Sequence, residues 1–248
     1  MSGRHRLRAL GALVVLNGLI PIRTQPFYVV YLLASPLSFL FFISVLSSGA
    51  FVPFGVTGGL ILTMLSAGTG LQSDMTHYRQ DLKFQDIVVA SPVEAPTYVT
   101  GMALSELVYS TPGLGVFAVI FVVTGLANLQ SIAVLVGVLL LVWAFASALA
   151  FTLATYLRDV RETFMFSPLI SLGLSVLPPV YYPIDRLPHW AQTAALFSPT
   201  TYAAQLVQGS VGLYSLSFGH ALLDWGALIA ITAALFLVAA FKARWKEP

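Results

Sequence analysis

Glu106 is the residue in this chain best placed to do chemistry. It stands about ten residues into the apolar stretch Thr97 to Gly125, roughly 15 Å from its start at helical rise. A carboxylate at that depth in hydrocarbon is costly unless it is paired, protonated or wet. Two readings follow: Glu106 lines a substrate path or takes up a proton, or it is a neutral acid hydrogen-bonded to a neighbouring helix. Other reactive sets are missing from the sequence. His5, His77, His189 and His220 are scattered, with no HExxH pair and no helical metal spacing. Without cysteine there is no thiol nucleophile, Cys-ligated zinc or disulfide framework. Gly173-Leu174-Ser175 lacks the second glycine of a nucleophile elbow, so Ser175 reads as a packing residue. Glu94 and Asp224 lie close to span ends and read as interfacial.

The elements that must position Glu106 are membrane helices. Of the 248 residues, 58% are hydrophobic and only 9% charged, and the mean hydropathy is +0.87. Such a chain has lipid as its solvent. Six runs are long enough to cross: Phe27 to Ser48, Val52 to Gln72, Thr97 to Gly125, Ser131 to Leu157, Thr163 to Leu177 and His220 to Phe241. Alternating the connections puts eleven of the twelve basic residues on one side, with Arg186 alone opposite. The positive-inside rule makes that side cytoplasmic, with both termini inside. The fold class is therefore an all-α membrane protein with six transmembrane helices, and residues 1–248 form a single transmembrane domain.

Residues 1–26 imitate a signal peptide, but the apolar run ends in Pro-Ile-Arg-Thr-Gln-Pro with no small-x-small cleavage site. Leu7 to Ile22 reaches roughly 24 Å, short of a bilayer core of roughly 30 Å. An N-terminal interfacial helix with Arg4 and Arg8 one turn apart fits better, a short extra span being the alternative. Pro36, Pro112 and Pro168 each remove a backbone donor inside a span, which calls for local accommodation. In the second span Gly59, Thr63 and Ala67 recur every four residues, as do Ser66 and Gly70. That face lets another helix approach closely, either within the chain or at a dimer seam.

Residues 73–92 predict a cytoplasmic amphipathic helix. Ser73 or Asp74 can cap it, Met75, Tyr78 and Leu82 share a face, and Pro92 marks its end. A solvated surface helix and a docking site for another protein are both open. Nearer the C-terminus, residues 178–219 hold Pro178, Pro179, Pro183, Pro188 and Pro199 among aromatic and polar residues. Pro178-Pro179 stops the fifth helix, Pro188 can start a short one and Pro199 can end it, with Trp190, Ala194 and Phe197 on one face. Irregular backbone at membrane depth is tolerated only against protein or a wet cavity. The pattern predicts an outer re-entrant helical hairpin before the last span.

Two of these stretches carry a resemblance. Lys83-Phe-Gln-Asp-Ile-Val-Val-Ala-Ser-Pro-Val93 is similar to the segment after the second span in membrane subunits of ABC type-2 exporters, with Asp86 in place of the usual Glu and Ser91-Pro92-Val93 matching directly. Lys83 and Phe84 stand where Gly-Thr is usual. Tyr182, Pro183, Leu187, Pro188, Trp190, Ser198, Pro199, Thr201 and Tyr202 resemble the family pattern before the last span. Pro36 in an aromatic-rich first span resembles it too.

The resemblance implies an export permease, one of two identical or homologous subunits, working with an ABC ATPase in two copies that uses ATP and magnesium. The chain itself has no G-x-x-x-x-G-K-[ST] phosphate loop, so energy arrives from that partner. Helix 73–92 then becomes a coupling helix, with Arg79, Asp81, Lys83 and Asp86 as rim contacts and Tyr78, Leu82 and Phe84 as apolar anchors. On its functional reading Glu106 lines the translocation path, the structural reading staying open beside it. Tyr181, Tyr182 and Trp190 become an outer gate, interface anchoring being the equal alternative. On this reading the chain binds no cofactor, metal or nucleic acid, and it resides in the cell membrane. A proton-coupled secondary transporter or channel using Glu106 is the competing class, which an inverted repeat would favour; no convincing repeat is visible.

Overall fold

The computed structural model describes residues 3–24, 26–83, 90, 93–157, 159–175 and 178–242. Regular structure among them is all helical. In chain order the helices are α1 (Gly3–Val14), α2 (Ile20–Thr24), α3 (Pro26–Leu46), α4 (Val52–Gln80), α5 (Ala95–Tyr109), α6 (Thr111–Val123), α7 (Leu129–Tyr156), α8 (Val160–Ser175), α9 (His189–Ala195), α10 (Pro199–Ser210) and α11 (Phe218–Lys242). A π turn, Val15–Leu19, joins α1 to α2, and a 3-10 turn, Ile184–Arg186, precedes α9.

Helix α4 is the axis of the bundle. In its most apolar window 89% of the residues are buried, against 17% for α11 at the periphery, so α4 faces protein and α11 faces lipid. Its Val56, Leu60 and Ile61 pack with Phe117 and Phe121 of α6, Val138 and Val142 of α7, and Leu206 and Val207 of α10. The stripe of small residues allows this approach. A Cβ on Gly59 would fall 2.0 Å from Cε1 of Phe117, and one on Gly113 would fall 3.1 Å from Cγ2 of Thr63. The small face therefore serves packing within the chain. Burial of these side chains is worth roughly 1.5–3 kcal/mol each in water, but in a bilayer the gain comes from tight contact rather than from leaving solvent.

Among the described residues, four helices are long and apolar enough to cross a membrane: His5–Thr24, Val52–Gln80, Leu129–Tyr156 and Phe218–Phe241. A fifth crossing arises if the bent pair α5 and α6 is counted as one. That pair was expected as a single span, and it bends by 48° where Pro112 removes a donor. Hydroxyls take up the freed carbonyls: Ser110 Oγ donates to Leu107 O at 2.8 Å and Thr111 Oγ1 to Val108 O at 2.7 Å. Lipid supplies no such partner, so the residues beside the proline must. Helix α7 begins on a reciprocal cap, Asn128 Oδ1 accepting from Ser131 N and Ser131 Oγ from Asn128 N, both at 2.8 Å.

Two expected boundaries change. Residues 73–80 are not the start of a separate helix: α4 runs unbroken to Gln80, so Ser73 and Asp74 lie inside it rather than capping a new one. The remainder of the expected coupling helix, apart from residues 81–83 and 90, falls outside the described residues. The described part of the N-terminal segment expected to lie along the interface, residues 3–24, packs beside α5. Arg6 pairs with Glu94, a Cβ on Gly101 would meet Leu13, and one on Gly18 would meet Ser105 and Val108. A nearly constant offset of this kind is the mark of parallel helices. Just before its π turn the Leu13 carbonyl accepts from Ser105 Oγ at 3.1 Å.

Candidate functional site

The candidate site is distributed along α4. At one end the backbone leaves the helix through Asp81, Leu82 and Lys83, the last with φ +52°. That left-handed conformation terminates a helix, and a non-glycine residue bears strain there. Asp81 and Lys83 are exposed, and Leu82 is 55% exposed. Asp81 Oδ2 lies 2.6 Å from Nδ1 of His77 one turn earlier. Three of the seven predicted coupling residues thus form an accessible turn, while Phe84 and Asp86 lie outside the described residues.

Tyr78 and Arg79 point back into the protein. The Tyr78 hydroxyl donates to Asn17 Oδ1 at 2.6 Å, and Asn17 Nδ2 reaches the Met102 sulfur at 3.4 Å. One amide thereby links the N-terminal helix to both α4 and α5. Arg79 Nη2 donates to the Leu157 carbonyl at 2.6 Å, serving the C-terminal end of α7, where a cation also meets the negative end of the helix dipole. Thr163 Oγ1 donates to Thr76 Oγ1 at 3.2 Å, tying α8 to the same region.

Glu106 sits one layer deeper, 7% exposed on α5. Its carboxyl group lies beside Asp74 of α4, within reach of a side-chain hydrogen bond. Gly70 makes the room: a Cβ there would fall 2.8 Å from Glu106 Oε2. Neither Asp74 nor Asn17 stood out from sequence as a partner, because each lies in a different helix and no periodicity relates them.

At the opposite end, residues 178–182 are irregular and largely buried. Gln208 Nε2 of α10 donates to Val180 O at 3.1 Å, which satisfies backbone that has no helix to serve it. Tyr181 is 4% exposed and stacks on Phe39 of α3, with ring centroids 5.1 Å apart at 11°. A Cβ on Gly58 of α4 would come within 2.7 Å of Tyr181 Cδ1 and of Val180 O. Arg186 lies over the Phe51 ring at 5.8 Å, close enough for a cation–π contact. Burial pushes the Tyr181 and Tyr182 phenols up, so both stay neutral at physiological pH. Trp190 does not join them: it is 75% exposed, and Phe197 is 87% exposed. Pro199 proves to begin α10 at the first helical position rather than merely end α9.

The family described as ABC-2 type transporter matches residues 13–211, which is most of the chain. The chain belongs to the ABC-2 type transporter family. No curated protein matches it significantly. As an ABC-2 protein it is a transmembrane permease component of an ABC transporter, not the ATPase itself, and permeases of this family typically work with an ATPase subunit. The matched region takes in Asn17, the whole of α4, the Asp74–Glu106 pair and the Tyr181 contact. The described residues of this ABC-2 permease hold no cluster of three or more metal-ligating side chains.

Proposed function

We propose that this permease is the membrane subunit of an ATP-driven exporter, two copies or homologues enclosing the translocation path and two ATPase subunits docking at the turn Asp81–Lys83 and the residues after it. The observation that carries the proposal is the continuity of α4. From Gly58, against Tyr181, to Gln80, beside the exposed turn, the helix extends roughly 33 Å without a break at helical rise. A rigid rod of that length transmits a displacement at one end to the other. ATP-driven movement of the partner would tilt α4 and change its contact with the 178–182 backbone, the outer gate.

On this reading α3 and α8 also cross, which with α4, the bent pair, α7 and α11 gives six spans and places both termini in the cytoplasm of a cell-membrane protein. Residues 178–219 dip back from the outer side as a re-entrant hairpin. ATP and magnesium are used by the partner. Co-purification with the ATPase encoded beside this gene, followed by ATP hydrolysis and export in liposomes, tests the reading. Charge reversal of Asp81 and Lys83 should weaken the complex and lower ATP turnover; an intact complex with unchanged turnover sinks the coupling assignment.

The Asp74–Glu106 pair favours a second reading, a proton-coupled secondary transporter. It predicts transport driven by a pH gradient with no ATPase present, and abolished by Glu106→Gln.

A further inference from the structure

A cavity of about 500 Å³ opens between α5, α7 and α11, within the range of roughly 300–1,000 Å³ that holds small ligands. Neither Glu106 nor Asp74 lines it, so it is separate from the carboxyl pair. Its wall is made of small residues, Ala144 and Ala148 of α7 and Ala239 and Ala240 of α11, with Trp143 and Phe151 beside them. Among the described residues, no charged side chain lines it. Small residues facing each other across helices ordinarily let those helices close together; here they leave a slot.

Position says what fills that slot. Pro96 lies in the first turn of α5, Phe151 near the end of α7 and Ala240 near the end of α11. Tyr98, Ala150 and Ala154 pack in one cluster with Leu71 and Met75 of α4, so the cavity is at the end of the bundle that carries Asp81–Lys83. Helices α7 and α11 are both long and apolar enough to cross a membrane, and Leu237 and Val238, next to the cavity on α11, are exposed. The medium at its mouth is therefore hydrocarbon. The wall also holds a buried hydroxyl that bonds to nothing among the described residues. Ser147 is 7% exposed and its Oγ has no hydrogen-bond partner among the described residues. On the same helix Thr152 returns its hydroxyl to Ala148 O at 2.8 Å, and Trp143 Nε1 is occupied by Ala103 O at 3.2 Å.

We propose that this cavity binds a single aliphatic chain bearing an oxygen acceptor, entering sideways from the bilayer, with Ser147 donating to that oxygen. Volume, a described lining without charge and a buried idle donor suit such a chain better than a polar solute. The binding claim does not depend on the ATPase assignment.

The test uses the full chain in phosphatidylcholine nanodiscs. One arm carries a phospholipid with a photoreactive group on its acyl chain, the other a photoreactive free fatty acid. Peptides covering Ala144–Phe151 and Phe236–Ala240 should be labelled several-fold more than the lipid-exposed Leu222–Leu223 region. The arm that labels identifies the source of the chain. Ala144→Phe and Ala148→Phe should each abolish the enrichment in protein whose thermal unfolding shows a folded state, and Ser147→Ala should reduce it while leaving the fold unchanged. Even labelling of all exposed helix faces, labelling that survives the cavity-filling variants, or cross-links from these peptides to a second copy of the chain in place of lipid would overturn the proposal.

Discussion

The phenol of Tyr78 and the amide of Asn17, 61 residues apart in the chain, are joined by a 2.6 Å hydrogen bond. The bond fixes the N-terminal helix against the end of α4, next to the turn proposed to receive the ATPase. Tyr78→Phe and Asn17→Ala should each lower stability by about 1 kcal/mol. The double variant should cost less than the sum, because both remove the same interaction. Thermal unfolding of the detergent-solubilised protein reads this; full additivity would show that the two groups do not act together.

Gly70 and Glu106 give a second prediction. Gly70→Ala places a methyl group 2.8 Å from Oε2 and should push Glu106 away from Asp74, destabilising the protein by about 1–3 kcal/mol. Glu106→Gln keeps a group able to donate to Asp74 and should be tolerated in folding. ATP-driven transport should persist in Glu106→Gln if the pair is structural. Loss of that transport in a folded variant would place a proton at the centre of the mechanism.

Arg79 and Lys83 were equals in the sequence and are not in the fold. Arg79→Ala strips the Leu157 carbonyl of its charged donor and should cost about 1.5–3 kcal/mol in stability. Lys83→Gly relieves a positive φ and should stabilise by about 1 kcal/mol while removing a charge from the docking turn. The expected signature is a higher unfolding temperature combined with weaker ATPase binding. A fall in both quantities would contradict the strain argument.

Gly58 and Trp190 separate the two kinds of outer residue. Gly58→Ala meets the Val180 carbonyl and the Tyr181 ring at 2.7 Å, and backbone cannot step aside cheaply, so a loss of about 1–3 kcal/mol is expected. Trp190→Ala should change stability by less than about 0.5 kcal/mol. Its effect, if Trp190 belongs to the gate, appears only in export rate measured in liposomes.

Much of the architecture was legible because it is written in local chemistry. Pro188 marks the start of a short helix, and the Gly59–Thr63–Ala67 spacing marks the close approach to α6, whereas Pro199, expected to end that short helix, begins α10. The rest depends on relations between distant segments. Nothing near Leu7–Ile22 reveals that Arg6 meets Glu94, and nothing near Glu106 reveals Asp74. The boundary after Gln72 was misplaced because polar residues there look like the start of a surface helix, whereas burial of Met75 and the bonds made by Thr76, Tyr78 and Arg79 carry α4 onward. Arg79 shows the same limit: a basic residue in a cytoplasmic connection looks available, and only the fold shows the carbonyl it serves.

The chain contains no cysteine, so one introduced at Leu82 is unique. The most direct test of the account is cross-linking from Leu82→Cys in the complex with the ATPase, with Trp190→Cys as the control at the opposite end. The account predicts a cross-link to the ATPase from position 82, altered by ATP, and none from position 190. A purified, active complex that cross-links from position 190, or shows no product from position 82, would contradict it.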